Sequence, residues 1–284
     1  MNRLLLALTV VVAAAATWAH AQAPQYGARG KPQRVVSLNL CLDQQVLLLA
    51  DPQNVASVTW LGADSFASTV ADRVATAMLR NRGYAEEILP LRPDLVLAGT
   101  YTTPFTVQML RRTGFNVEVL EQPTTLEDVR NQLRIVGDLL RERERAEAVI
   151  AAFDATLAAA APAPGAAAPR AAIFQPGGFT AGPGSFEDAL LRAAGFANVA
   201  AEIGLGMYGY LSLEQLLLTE TRFIVSPEYL PGRPSLGEQV INHPALRRAG
   251  MRGKVVEIPS NLWNCAGPAN AEAVRILAAA RADG

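Results

Sequence analysis

The sequence predicts an α/β protein built as two α/β lobes with mostly parallel sheets, joined by a single long helix. Three observations carry this expectation. Short apolar runs alternate with helical stretches from Arg34 to Leu140. The same alternation restarts at Arg170. Between them lies an alanine-rich helical segment that ends at Pro162-Ala163-Pro164-Gly165, the clearest boundary in the chain. Strands that alternate with helices imply βαβ units and parallel pairing. The expected division is a leader at 1–21, an N-terminal lobe at 33–141, a connecting helix at 142–162 and a C-terminal lobe at 170–284.

Taken in order, Arg34-Val35-Val36-Ser37-Leu38 reads as a strand that enters a helix at Cys41 to Ala50, with Asn39 or Asp43 near its N-terminus. Val55 to Trp60 reads as a second strand, and Gly83 to Leu89 as a short helix stopped by Pro90. Asp94-Leu95-Val96-Leu97-Ala98 does not alternate, as expected of a strand buried on both faces. A helix from Pro104 to Thr113 and a strand from Asn116 to Leu120 follow. Thr124 and Glu127 match a capping box, opening a helix whose Leu126, Val129, Leu133, Val136 and Leu140 share one side. The charged run Arg141 to Glu144 marks a helix break with a solvated face, and residues 146–161 are helical again.

In the second half, residues 170–175 read as a strand, the glycine-rich 176–184 as a loop and 186–194 as a helix. A short helix at 212–218 precedes a strand at 222–226. Asn242 is the expected N-cap of a short helix to Ala249, with Pro244 in its first turn. A strand at 254–258 and a closing helix at 269–280 complete the chain.

Composition narrows the function. The 284 residues carry 25 Lys+Arg against 26 Asp+Glu, and this balance gives no electrostatic basis for nucleic-acid binding. A hydrophobic share of 50% argues against disorder. Arg3, the apolar stretch from Leu4 to Trp18 and the Ala19-His20-Ala21 site form a secretory leader, cleaved after Ala21, so an exported protein is expected. Its apolar core of about 15 residues falls short of the roughly 20 that span a bilayer.

The only two cysteines, Cys41 and Cys265, each follow a strand end and open a helical stretch, one per half. In open α/β sheets ligands bind outside the carboxyl ends of the strands. Three readings stay open: inert small residues, a disulfide across a cleft, or thiols that contact ligand. A thiol enzyme with Cys41 as nucleophile, His243 as base and Asp43 as orienter is the alternative from another functional class. Neither cysteine has the flanks of a catalytic motif, and there is no GxSxG. The segment 176–184 lacks both GxxxxGK[ST] and GxGxxG, so it reads as a ligand-facing loop and not a phosphate cradle. No metal-ligand cluster and no cofactor motif is present in the sequence. Aromatic residues fall at strand ends and loops: Trp60, Tyr84, Tyr101, Phe179, Tyr208, Tyr210 and Trp263. That placement points to a pocket that stacks on a large planar or apolar ligand.

Together, the Val35 to Leu38 strand, the block Gly83-Tyr84-Ala85-Glu86-Glu87-Ile88 running into Leu91-Arg92-Pro93-Asp94-Leu95-Val96, the lobe-joining helix and Leu211-Ser212-Leu213-Glu214-Gln215-Leu216 resemble the periplasmic substrate-binding proteins of ABC importers for cobalamin, iron-siderophores and haem. The resemblance covers residues 33–283. It implies a monomeric periplasmic carrier that holds a bulky metal chelate between its lobes, performs no chemistry and docks on an inner-membrane permease through Glu86 and Glu214. It also places Trp60, Tyr84, Phe179 and Trp263 where the family has pocket aromatics. The segment 260–268 corresponds to the family's C-terminal ligand loop. Asn261 and Cys265 stand there where some cobalamin binders carry an acid and an arginine, and Arg80, Arg82 and Arg233 are the only basic candidates for a siderophore. Haem is the alternative cargo, with Tyr84, Tyr101 or Tyr208 available as a ligand.

Overall fold

The computed structural model describes residues 30–228, 243–244 and 255–283. The expected leader at 1–21 lies outside the described residues. So does the expected helix from Asn242 to Ala249, apart from His243 and Pro244.

The first lobe is a five-stranded parallel sheet in the order β3-β2-β1-β4-β5, formed by β1 (Val35–Ser37), β2 (Val55–Thr59), β3 (Leu79–Asn81), β4 (Leu95–Gly99) and β5 (Val117–Leu120). Val35 pairs with Leu95 and Val36 with Val96. Successive strand residues face opposite sides of a sheet, and here both sides are buried. Val35, Leu95 and Leu97 join one core, whereas Val36, Val96 and Ala98 join another under α2 (Ala85–Ile88) and α3 (Pro104–Arg112). This two-faced burial explains the unbroken apolar run of β4.

Among the described residues the second lobe repeats the plan with a four-stranded parallel sheet in the order β11-β10-β6-β8: β6 (Arg170–Ile173), β8 (Ala197–Asn198), β10 (Phe223–Glu228) and β11 (Val255–Pro259). Its outer face packs Ala172, Phe174 and Ile224 against Val199 of α7 (Val199–Glu202) and Leu216 of α8 (Leu213–Leu218). A small antiparallel pair, β7 (Phe179–Ala181) with β9 (Tyr208–Tyr210), stands off this sheet.

One helical layer serves both sheets. It comprises α1 (Leu40–Leu49), α4 (Leu126–Leu140), α5 (Arg143–Ala160), α6 (Phe186–Ala193) and α9 (Asn270–Ala282). Its buried side chains belong to a single core that includes Val35 and Leu97 from one sheet and Ile173 and Val225 from the other. The connecting helix α5 has 18 residues, so it is about 27 Å long. It packs on both α4 and α9. Arg141, with a φ of 61°, reverses the chain between α4 and α5, and Gly137 admits Ala146 so closely that an added Cβ would lie 2.6 Å from the Ala146 Cβ. Among the described residues no helix is long and apolar enough to cross a membrane.

Local corrections follow from geometry. The α4 cap is Thr125 with Asp128 at N3, not Thr124 with Glu127: the Thr125 hydroxyl accepts from the Asp128 amide at 3.0 Å and the Asp128 carboxylate accepts from the Thr125 amide at 2.9 Å. A Thr-Thr pair offers two registers of the same pattern, and only the backbone geometry selects one. Trp60 opens a 3-10 turn instead of closing β2. The glycine-rich segment expected to be a loop contains a 3-10 turn at Pro176–Gly178 and then β7.

Candidate functional site

Residues that follow the carboxyl ends of strands in the two parallel sheets meet each other. Asn39 precedes α1 with its side-chain oxygen accepting from the Cys41 and Leu42 amides at 2.9 and 3.3 Å. This cap satisfies free amides of the first turn and holds Cys41 as the second helical residue. Cys265 comes from the other lobe, after β11 and the 3-10 turn Ser260–Leu262. The two cysteines form a disulfide, with Cα atoms 5.2 Å apart across 224 positions of sequence. Beside it the Ser260 hydroxyl donates to the Phe66 carbonyl at 2.7 Å and the Asn261 amide donates to the Ser65 carbonyl at 2.9 Å. The 260–265 segment is therefore stapled to the first lobe at three points.

This pairing corrects two expectations about the cysteines. Neither offers a bare thiol to a ligand, and Cys41 has no free sulfur with which to act as a nucleophile. The accompanying triad does not assemble either. Asp43 is wholly buried and turned to Thr59, whose amide donates to its Oδ2 at 3.1 Å and whose hydroxyl donates to the same oxygen. Burial pushes the Asp43 carboxyl up to about 7, against the opposing effect of hydrogen bonds from neighbouring hydroxyls and the Thr59 amide. Its Oδ1 is buried with no hydrogen-bond partner.

Trp60 after β2, Tyr84 after β3 and Tyr101 after β4 are exposed, the last at 82%. In the other lobe Phe179 stacks on Tyr208, with ring centroids 5.7 Å apart and planes at 18°, and meets Tyr210 edge-on at 5.9 Å. This trio is fixed by the β7–β9 register, which sets Phe179 opposite Tyr210 and Ala181 opposite Tyr208. Burial pushes the Tyr208 phenol up, with further contributions from Glu187 and from Tyr101 of the opposite lobe. Trp263 departs from expectation: it is 6% exposed and belongs to the shared core, where its ring nitrogen has no partner. It is therefore a core residue and not an exposed aromatic.

Gly178 makes this hairpin possible. Its φ is +82°, and an added Cβ would lie 2.6 Å from the Leu211 carbonyl oxygen, while its own carbonyl accepts from the Leu211 amide at 2.8 Å. Gly178→Ala is expected to lower stability by about 1–3 kcal/mol through backbone strain. Thermal unfolding checks this; an unchanged midpoint would show that the hairpin tolerates a shift.

Glu86 and Glu214 occupy matching places. Each is the second residue of a short helix, α2 or α8, that leads into a buried strand, β4 or β10, and each is exposed. Backbone amide bonding at the helix start and the Ser212 hydroxyl hold the Glu214 carboxyl below its ordinary value.

Residues 35–262 match the family model for the periplasmic binding proteins. The chain belongs to the periplasmic binding protein family. A cobalamin-binding protein of Halobacterium salinarum is 30% identical to this binding protein over 201 residues, 69% of this chain and 54% of that one. The chain thus spans about half the length of the curated relatives it matches. Among solved structures, it is similar to the periplasmic heme-binding protein RhuT from Roseiflexus sp. RS-1 in apo form, at 24% identity and a TM-score of 0.71, covering 89% of this chain and 99% of the other. It is also similar to the periplasmic vitamin B12 binding protein BtuF of Vibrio cholerae, at 18% identity and a TM-score of 0.62, covering 88% and 96%. At these identities the likeness to solved structures is one of fold.

Three features of the binding protein escaped the sequence reading. Phe66 and Phe105 add exposed aromatic surface at the strand ends of the first lobe; Phe66 sits in a turn with no periodic signal, and Phe105 is the second residue of α3. Glu187, at the start of α6, has its carboxyl pushed up by burial and its Oε2 left without a partner. An acidic residue in a first helical turn is ordinarily a solvated one, so nothing local marks it.

Proposed function

We propose that this protein is the periplasmic solute-binding component of an ABC importer, which captures a metal chelate of cobalamin or iron-siderophore type in the inter-lobe cleft and hands it to the permease. The observation that carries this reading is the concentration of exposed aromatic side chains, from both lobes, at the ligand-facing ends of two parallel sheets. Isolated exposed apolar residues are ordinary, but a set drawn from separate strands onto one cleft is a binding surface. The 30% identity to a cobalamin-binding protein supports the cobalamin branch. Trp60, Tyr84, Tyr101, Phe179 and Tyr208 are the proposed ligand contacts, and Trp263 backs them. Glu86 and Glu214 are the proposed docking carboxylates, one on each lobe. The protein works as a monomer and makes or breaks no covalent bond in its cargo, and the leader at 1–21 directs it to the periplasm.

A specific observation favours haem as the second reading: Tyr101 and Tyr208, one from each lobe, are both exposed, and a phenolate is a ligand for ferric iron.

The test is a fluorescence and absorbance titration of the purified mature protein with cyanocobalamin, haemin and a ferric hydroxamate. One of them is expected to bind with Kd below about 1 μM, equivalent to about −8 kcal/mol. Saturable binding of none of the three would refute the chelate reading. Tyr101→Phe is expected to alter the visible spectrum of the haemin complex and to leave that of a cyanocobalamin complex unchanged.

A further inference from the structure

We propose that Cys41 and Cys265 are positioning residues of the cleft: their disulfide sets the separation of the lobes at the ligand-facing ends of the sheets, and breaking it widens the cleft and speeds ligand loss. The ligand half of this statement rests on the cleft being the binding site.

Both ends of the bond are anchored in the body of a lobe. Cys41 lies on the first turn of α1, whose Leu42, Val46 and Leu49 are buried in the shared core. Cys265 sits between Trp263 and Ala266, both in that core, and just before Gly267, whose amide donates to the Asn270 side chain at 2.6 Å. A bond between two mobile loops would be slack. This one joins parts that cannot move without moving their lobes.

Its place along the lever matters as much. The shared helical layer of α4, α5 and α9 joins the lobes on one side, and rotation about that layer displaces the strand ends most. The disulfide crosses at those strand ends. The Ser260 and Asn261 hydrogen bonds cross there too, but each contributes only about 0.5–1.5 kcal/mol net. Within the second lobe the bond follows β11, whereas the Phe179, Tyr208 and Tyr210 cluster stands next to β6, two strand spacings or about 10 Å away. The disulfide therefore lies apart from the aromatic cluster.

Two measurements separate this role from simple stabilisation. In the first, folded protein is treated with dithiothreitol: the S–S bond breaks, Cys41 and Cys265 each gain a proton and an electron, and dithiothreitol leaves as its cyclic disulfide. The unliganded reduced protein is expected to show a larger radius of gyration by small-angle scattering. Hydrogen exchange at the Trp263 and Asn264 amides, which donate to the Ser260 carbonyl at 2.9 and 2.8 Å, should be at least about tenfold faster. In the second, the Cys41→Ser/Cys265→Ser double variant is compared with wild type in reductant-free buffer. Dissociation of cyanocobalamin, haemin or a ferric hydroxamate, whichever binds, is expected to be at least about tenfold faster, equivalent to about 1.4 kcal/mol. Unchanged scattering and exchange, with only a lower unfolding midpoint, would overturn the proposal and leave the disulfide a stabiliser. Unchanged dissociation from a variant that does bind overturns its ligand half. If none of the three chelates binds either form, the functional reading falls, and scattering and exchange still decide whether the bond sets the cleft.

Discussion

Reversing both docking carboxylates, Glu86→Arg with Glu214→Arg, is expected to reduce uptake to background and leave ligand affinity unchanged. Both side chains are exposed and stand at the second position of a short helix. Negative charge at a helix start is favoured by about 0.3–1 kcal/mol, so reversal costs the fold little. At an interface, placing like charges together costs several kcal/mol, which is enough to prevent productive docking. Since the Glu214 carboxyl is held below its ordinary value, it stays ionised throughout the neutral range. Uptake of labelled chelate into vesicles carrying the permease, beside a titration of each purified variant, checks the prediction. Retained uptake would remove the two residues from the docking surface; lost ligand affinity would move them to the cleft.

A second large effect is expected at Asp43. Its carboxyl titrates near 7 in the folded protein and near 3.8 in the unfolded chain, because burial disfavours the charged form. The folded state therefore binds more protons than the unfolded state between these values, and stability falls as pH rises through that window. The full span of about three units corresponds to about 4 kcal/mol, present below pH 4 and lost above about pH 7. Asp43→Asn removes the titration. The carboxamide oxygen of that variant still accepts from the Thr59 amide, so the variant is expected to match wild type at about pH 3 and to be more stable by about 3–4 kcal/mol at pH 8. Denaturant unfolding at the two pH values measures this. Parallel pH profiles for the two proteins would show that Asp43 is solvated in solution.

The fold was legible where the signal is local. Each long element announced itself: β4 as a run buried on both faces, α4 by its apolar stripe, α5 by length and by the proline-rich stop after Ala161. Elements held by partners distant in sequence were not. β3 is three residues with two exposed, and it exists because β2 offers Ser57, Val58 and Thr59 as partners. β7 and β9 are likewise too short for a period, and glycine at their start argues for a loop until the backbone of Leu211 is seen to fill the space. The site divides in the same way. Trp60, Tyr84 and Tyr101 follow strands, and position after a parallel strand is a sequence-readable guide to the ligand side. Trp263 also follows one, yet it turns inward because the ring fills the core behind the cleft.

By itself, the sequence determined that this chain forms two parallel α/β units with a helix between them, that strand ends carry aromatics, and that one cysteine falls in each half. Hydrophobic period and chain punctuation act over a few residues and need no partner. Only the tertiary structure decided that Cys41 meets Cys265, that Phe179 stacks on Tyr208, and that Asp43 is sealed against Thr59 and left titrating near neutrality. Those outcomes depend on how one lobe is set against the other and on which polar atoms lose water in the process, and both are properties of the packed chain as a whole.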